Sequence, residues 1–254
     1  MLQDLVAGNA YAFIVIFCRL GAAMISLPGV GEASVSPRIR LTIALLMSGV
    51  SVPVLASSLP PLPAQPMQLA FLVVSEIGFG LALGLLSRLI FSALHVGGTI
   101  IALQAGLASA VFFDPNQGSQ SAIVSSAMIL FGVTLVFATN LHLLALQAAY
   151  DSYTLFPPMQ APAFGDFAEV ATHMVSGSIA LGVKLAAPFI VYGIVFNVAL
   201  GLLNRLMPQL QIFFIMQAPQ IALSLILFGL SLGAMGLLFT TRFEALMAQF
   251  LVPR

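Results

Sequence analysis

The stretch Asn197-Val-Ala-Leu-Gly201-Leu-Leu-Asn204-Arg205-Leu-Met-Pro208-Gln209-Leu-Gln211-Ile-Phe213 decides the fold class, because it joins two apolar runs, 172–200 and 210–239. Each run exceeds the roughly 20 apolar residues that a helix needs to cross a bilayer core. Arg205 falls near the C-terminus of the first run, where a cation suits the helix dipole. Pro208 cannot donate to a helix and disfavours helical backbone at the residue before it, so the chain has to turn here. Asn197 and Asn204 are seven positions apart and fall near one helix face. With Gly201 and Gln209 they make this the connection of a membrane-length helical hairpin.

Working outward, further apolar runs occupy 10–30, 39–57, 69–94, 96–112 and 121–149. Turn chemistry separates them. Pro28, Gly29, Gly31 and Pro37 mark the first break, and the proline-dense stretch from Pro60 to Pro66 cannot be helical throughout. The stretch 151–169, with Pro157, Pro158, Pro162, Gly165 and three acids, is the best internal boundary. The expected fold is therefore all-α, with six to seven long apolar helices. The first run lacks a basic leader and contains Arg19, so it reads as a retained helix and not as a cleaved signal.

Composition agrees. Of 254 residues, 60% are hydrophobic and 6% charged, against about 25% charged in a soluble domain. Eight basic and eight acidic residues leave no net charge, which removes an electrostatic case for nucleic acid. A single cysteine, Cys18, excludes an internal disulfide. Basic Arg38, Arg40 and Arg205 read as cytoplasmic and the acidic 151–169 connection as external. Seven full spans break that parity, and treating 96–112 as a short re-entrant segment restores it.

Four charges, Arg19, Glu76, Arg88 and Lys184, lie inside apolar runs. Each costs about 2.5–3.5 kcal/mol at bilayer depth, so it faces protein, water or an opposite charge. Ion pairing within or between subunits is favoured over a transport pathway, with Glu76 paired to Arg19 or Lys184. Small residues recur every four positions at Gly80/Gly84, Ala102/Gly106/Ala110, Ser178/Gly182 and Gly229/Gly233. They allow close helix approach, either between subunits or within the chain. His95, His142 and His173 share no ligand spacing, and no nucleophile motif or cofactor fingerprint is present. Neither an enzyme nor a metal or cofactor protein is expected.

The segment from Gln104 through Gly106 to Phe112-Phe113-Asp114-Pro115 runs a small-residue face into two adjacent aromatics and an Asp-Pro stop. Such a pair can plug a pore sterically and by dewetting, or anchor a loop or fill a core.

At this point the sequence resembles a known family. Residues 200–213 and the Leu103–Leu107 and Phe112–Pro115 blocks are similar to the signature segments of the FliR family. Ser36–Leu41 and the helix carrying Glu76, Gly80 and Gly84 are similar to its N-terminal part. The resemblance implies a subunit of the flagellar type III export gate, in the bacterial inner membrane at the flagellar basal body. It implies assembly with FliP-like and FliQ-like subunits, association with FlhB-like and FlhA-like components, and contact with unfolded protein substrates and membrane lipid. It also implies a FliP-like part over 1–165 and a FliQ-like hairpin over 166–254. Gly106, Phe112, Phe113, Asp114 and Pro115 would belong to the plug; Asn197, Gly201, Asn204, Arg205, Pro208 and Gln209 to a subunit-contacting hairpin loop. A virulence injectisome subunit and a small secondary transporter are the alternatives. Gln217-Ala218-Pro219-Gln220 departs from the family's Gly-x-Pro pattern and receives no role.

Overall fold

The computed structural model describes residues 2–32, 35–107, 120–159, 164–207, 209 and 212–251. Among these it contains seven α-helices and no strand: α1 (Leu2–Ser26), α2 (Pro37–Leu55), α3 (Pro66–Gln104), α4 (Gln120–Ala138), α5 (Leu141–Leu155), α6 (Phe164–Leu206) and α7 (Ile212–Met247). The expected all-α class holds. Five helical stretches are long and apolar enough to cross a membrane, and the bent α4–α5 pair makes a sixth if counted as one span.

Local chemistry explains the ends. Leu27-Pro28 stops α1, and Gly29 turns the chain at a φ of +86°. Arg40 holds that turn by donating to the carbonyls of Val30 (3.1 Å), Glu32 (3.0 Å) and Val35 (3.4 Å). Ser36 caps α2 by accepting from the Arg38 N–H, with Pro37 in the first turn, where its missing N–H costs nothing.

Two boundaries differ from the sequence expectation. The runs 69–94 and 96–112 are not separate spans, since α3 continues without a break to Gln104. Gly97 and Gly98 serve close packing there and do not interrupt the helix. A Cβ on Gly97 would lie 3.1 Å from the Gly182 carbonyl, and one on Gly98 would lie 2.6 Å from Cα of Ser125. Residues 96–104 are therefore part of α3 and not a separate segment, while 108–112 of the expected re-entrant run lie outside the described residues. Conversely, the single run 121–149 is broken at Thr139–Asn140, where Asn140 adopts a left-handed φ of 60°. Asparagine tolerates that conformation better than most side chains, because its short amide bonds locally.

The chain forms two compact units. One comprises Met1–Leu89, Val136–Met174 and Phe243–Arg254. Here α1 packs on α2 and α5, and Ile16, Leu20, Leu55, Ala149 and Tyr153 form a buried cluster. The Gly80/Gly84 face lets α3 sit directly on α1. A Cβ at Gly80 would collide with the Arg19 carbonyl and reach 2.9 Å from Cβ of Ala22, and one at Gly84 would reach 2.6 Å from the Ala23 carbonyl. The other unit comprises Ile90–Leu135 and Val175–Arg242. In it α3 and α6 cross at Gly97 and Gly182, and Phe91 meets Phe239 edge-on at 5.3 Å. Ser178/Gly182 thus serves contact within the chain, as Gly80/Gly84 does. Gly229 and Gly233 differ, because beyond the local backbone of α7 no described atom lies within 4 Å of where their Cβ would be.

Candidate functional site

Three places carry the polar chemistry of this apolar chain. The first is a buried ion pair. Arg19 on α1 and Glu76 on α3 are both 0% exposed, with Nε–Oε2 at 2.6 Å and Nη2–Oε1 at 2.8 Å, a bidentate fork. The remaining guanidinium donors reach the end of α5: Nη1 to the Ser152 carbonyl and Nη2 to the Phe156 carbonyl, both at 3.0 Å. The Ser152 carbonyl also accepts from the Phe156 N–H at 2.8 Å, so Arg19 adds a second donor there and reaches the Phe156 carbonyl just past the helix end, bracing α5 while neutralising Glu76. Tyr153 covers the guanidinium face at 4.1 Å and Phe79 lies at 5.2 Å. A buried charge this well satisfied is a structural tie among α1, α3 and α5.

Arg88 and Lys184 do not join this tie. Both are exposed in the isolated chain, and neither has an ion-pair partner among the described residues. Of the two pairings expected for Glu76, the structure forms the one with Arg19.

The second place is the end of α3. Gly106 takes a φ of +76°, with its N–H on the Leu103 carbonyl at 3.3 Å, so the helix stops through a left-handed glycine. The Gln220 side chain of α7 packs against Gly106 and donates to the Gln104 carbonyl at 3.2 Å. Tyr192 on α6 donates its hydroxyl to the Gln220 carbonyl at 2.8 Å. Phe112, Phe113, Asp114 and Pro115 lie outside the described residues, as does Pro208.

The third place is the tip of the α6–α7 hairpin. Asn197, Leu200, Gly201, Asn204, Ile212, Phe213 and Phe214 line an open groove of about 400 Å³. Asn197 and Asn204 share this face, as their seven-residue spacing implies. Arg205 and Gln209 are exposed beside it, and Phe213 and Phe214 are half exposed and edge-on at 5.7 Å. No group of three or more potential metal ligands occurs among the described residues.

Sequence reasoning missed Gln220, Tyr192 and the carbonyls of Ser152 and Phe156. A buried amide beside Pro219 in an otherwise apolar run was the available signal for Gln220. The carbonyl partners had none, because any residue supplies a carbonyl.

The sequence matches the family described as "Bacterial export proteins, family 1" over residues 10–246. It is 37% identical to the flagellar biosynthetic protein FliR of Caulobacter vibrioides, covering 96% of this chain and 97% of that one. FliR of Escherichia coli K12 is 32% identical over 78% of this chain and 75% of its own length. FliR of Bacillus subtilis 168 is 26% identical over 85% and 84%. The match spans both compact units and includes the ion pair, the end of α3 and the hairpin tip. With its bilayer-length helices, the chain belongs to the FliR family of bacterial export proteins and is a component of flagellar biosynthesis and protein export.

Proposed function

We propose that the chain is a subunit of the flagellar type III protein export gate, which builds with FliP-like and FliQ-like subunits the pore for unfolded flagellar proteins. The site is the bacterial inner membrane at the flagellar basal body, with FlhB-like and FlhA-like components on the cytoplasmic side. The observation that carries this reading is the uncovered apolar surface of α6 and α7. Val191, Ile194, Val198, Leu202 and Leu206 of α6 and Ile215, Ile226, Leu230 and Leu237 of α7 are exposed, with Leu206 at 76% and Leu230 at 79%. Helices of 39, 43 and 36 residues extend about 54–65 Å, roughly twice a hydrocarbon core of about 30 Å. Lipid alone cannot cover that length, so neighbouring helices have to. The open Gly229/Gly233 face suits close contact with one of them.

On this reading the residues 1–165 are the FliP-like part and 166–254 the FliQ-like hairpin. Asn197, Gly201, Asn204, Arg205, Pro208 and Gln209 make the tip that meets a neighbouring subunit, and Arg88 and Lys184 pair with carboxylates of adjacent subunits. Affinity purification of the tagged chain from detergent-solubilised membranes should recover FliP-like and FliQ-like chains in one particle. Gly229→Leu with Gly233→Leu should lower that recovery about tenfold or more while the chain's own thermal stability stays within a few degrees. A monodisperse monomer from wild-type membranes would sink the reading.

Gly106, Phe112, Phe113, Asp114 and Pro115 form the plug of the closed pore in this proposal. Phe112→Ala with Phe113→Ala should raise ion leakage through the assembled gate at unchanged assembly. Equal membrane conductance in the double variant and wild type would take both residues out of the plug.

A further inference from the structure

Gln220 is an amide only 8% exposed in an apolar helix, and its contacts form a reciprocal arrangement. Its Nε2 donates to the Gln104 carbonyl, one of the last-turn carbonyls of α3 that the helix itself cannot satisfy. Its carboxamide rests on Gly106, where a Cβ would come within 2.8 Å of its Cδ and Oε1. The Gln104 side chain in turn rests on Gly193 of α6, where a Cβ would lie 3.2 Å from the Gln104 Cβ and collide with its amide oxygen. Tyr192, next to Gly193, bonds the backbone of Gln220. Two glutamines are thus each seated on a glycine of another segment, and one hydroxyl ties α6 to α7 beside them.

From this geometry the structure assigns Gln220, with Tyr192, the role of a positioning latch. It fixes the point at which the chain leaves α3 against α6 and α7. Gly106 is required there for two separate reasons, a left-handed φ and the room that Gln220 occupies. These can be separated, because asparagine tolerates the left-handed conformation but not the lost space. The functional consequence rests on the export reading: a loosened exit leaves the assembled complex intact but leakier to ions.

The test is a double-mutant cycle in the full chain, expressed with its partners and read as recovery of the tagged complex from membranes. Gly106→Asn should lower recovery about tenfold, and adding Gln220→Ala should restore it to within about threefold of wild type. Wild-type recovery of Gly106→Asn alone, or a double variant as poor as the single, would overturn the latch. Gln220→Leu, close in size but unable to donate, should assemble normally and raise ion conductance severalfold. Conductance equal to wild type at equal recovery would also overturn it. If Gln220→Leu is lost from membranes, the cycle still decides through recovery. A strain lacking the whole chain that still builds filaments would remove the export reading and leave the cycle result standing.

Discussion

Glu76→Leu should cost the chain about 3–5 kcal/mol, enough to remove most of it from membranes. The reason is what it leaves behind. Arg19 is fully buried, and without Glu76 its charge has only the carbonyls of Ser152 and Phe156 and the rings of Tyr153 and Phe79 for company. Those partners supply dipoles but no counter-charge. Arg19→Met should be comparably damaging, since it strands a buried carboxylate and removes the guanidinium from the end of α5. The double variant Arg19→Met/Glu76→Leu leaves no buried charge; the Ser152 carbonyl keeps its bond from the Phe156 N–H, and the Phe156 carbonyl loses its guanidinium donor. It should be more stable than Glu76→Leu alone, a coupling that thermal unfolding of the detergent-extracted chain would read directly. Additive losses in the double variant would mean that the two side chains act independently, contrary to the 2.6 Å contact between them.

The second large effect distinguishes two glycines on one helix. Gly80→Ala should destabilise the chain by about 1–3 kcal/mol, because the new methyl group meets the backbone carbonyl of Arg19 and α3 must lift off α1. Gly80→Val should abolish accumulation. Gly78→Ala, two residues earlier, should be neutral or stabilising by up to about 1 kcal/mol, since nothing lies within 4 Å and alanine favours the helix. Lifting α3 would also pull Glu76 from Arg19, so Gly80→Ala should reduce the coupling measured for the ion pair. Equal melting temperatures for Gly78→Ala and Gly80→Ala would show that close approach at Gly80 contributes nothing.

Both predictions concern residues whose importance was partly visible beforehand. Arg19 and Glu76 stood out as charges in apolar runs, and Gly80/Gly84 as a small-residue face. Their partners were not visible, because each face was compatible with a neighbour in the same chain or in another. The structure divides them. Gly80/Gly84 and Ser178/Gly182 are covered from within the chain, whereas Gly229/Gly233 are left open. The same division holds for the charges, with Arg19 and Glu76 buried together and Arg88 and Lys184 exposed. Gln220 lay in a tetrapeptide that departed from the family pattern and had no assigned role. Its contacts with Gln104 and Tyr192 join positions 116 and 28 residues away, which no local pattern encodes.

Span lengths and breaks were readable because bilayer-length apolar runs and proline are local properties of the chain. This gave the all-α class, the α6–α7 hairpin and the stops after α1 and before α3. The exceptions have a common cause. The runs 69–94 and 96–112 looked like separate segments and are joined in one helix to Gln104, with Gly97 and Gly98 at close contacts inside it, while 121–149 looked like one run and breaks at Thr139–Asn140. Glycine and asparagine permit more than one backbone state, and the packing of neighbouring helices selects among them. Class, membrane-length helices and family thus followed from the order of residues alone. The choice of salt-bridge partner, the sorting of glycine faces and the Gln220 contacts depended on tertiary packing, because each joins atoms that only folding brings within reach.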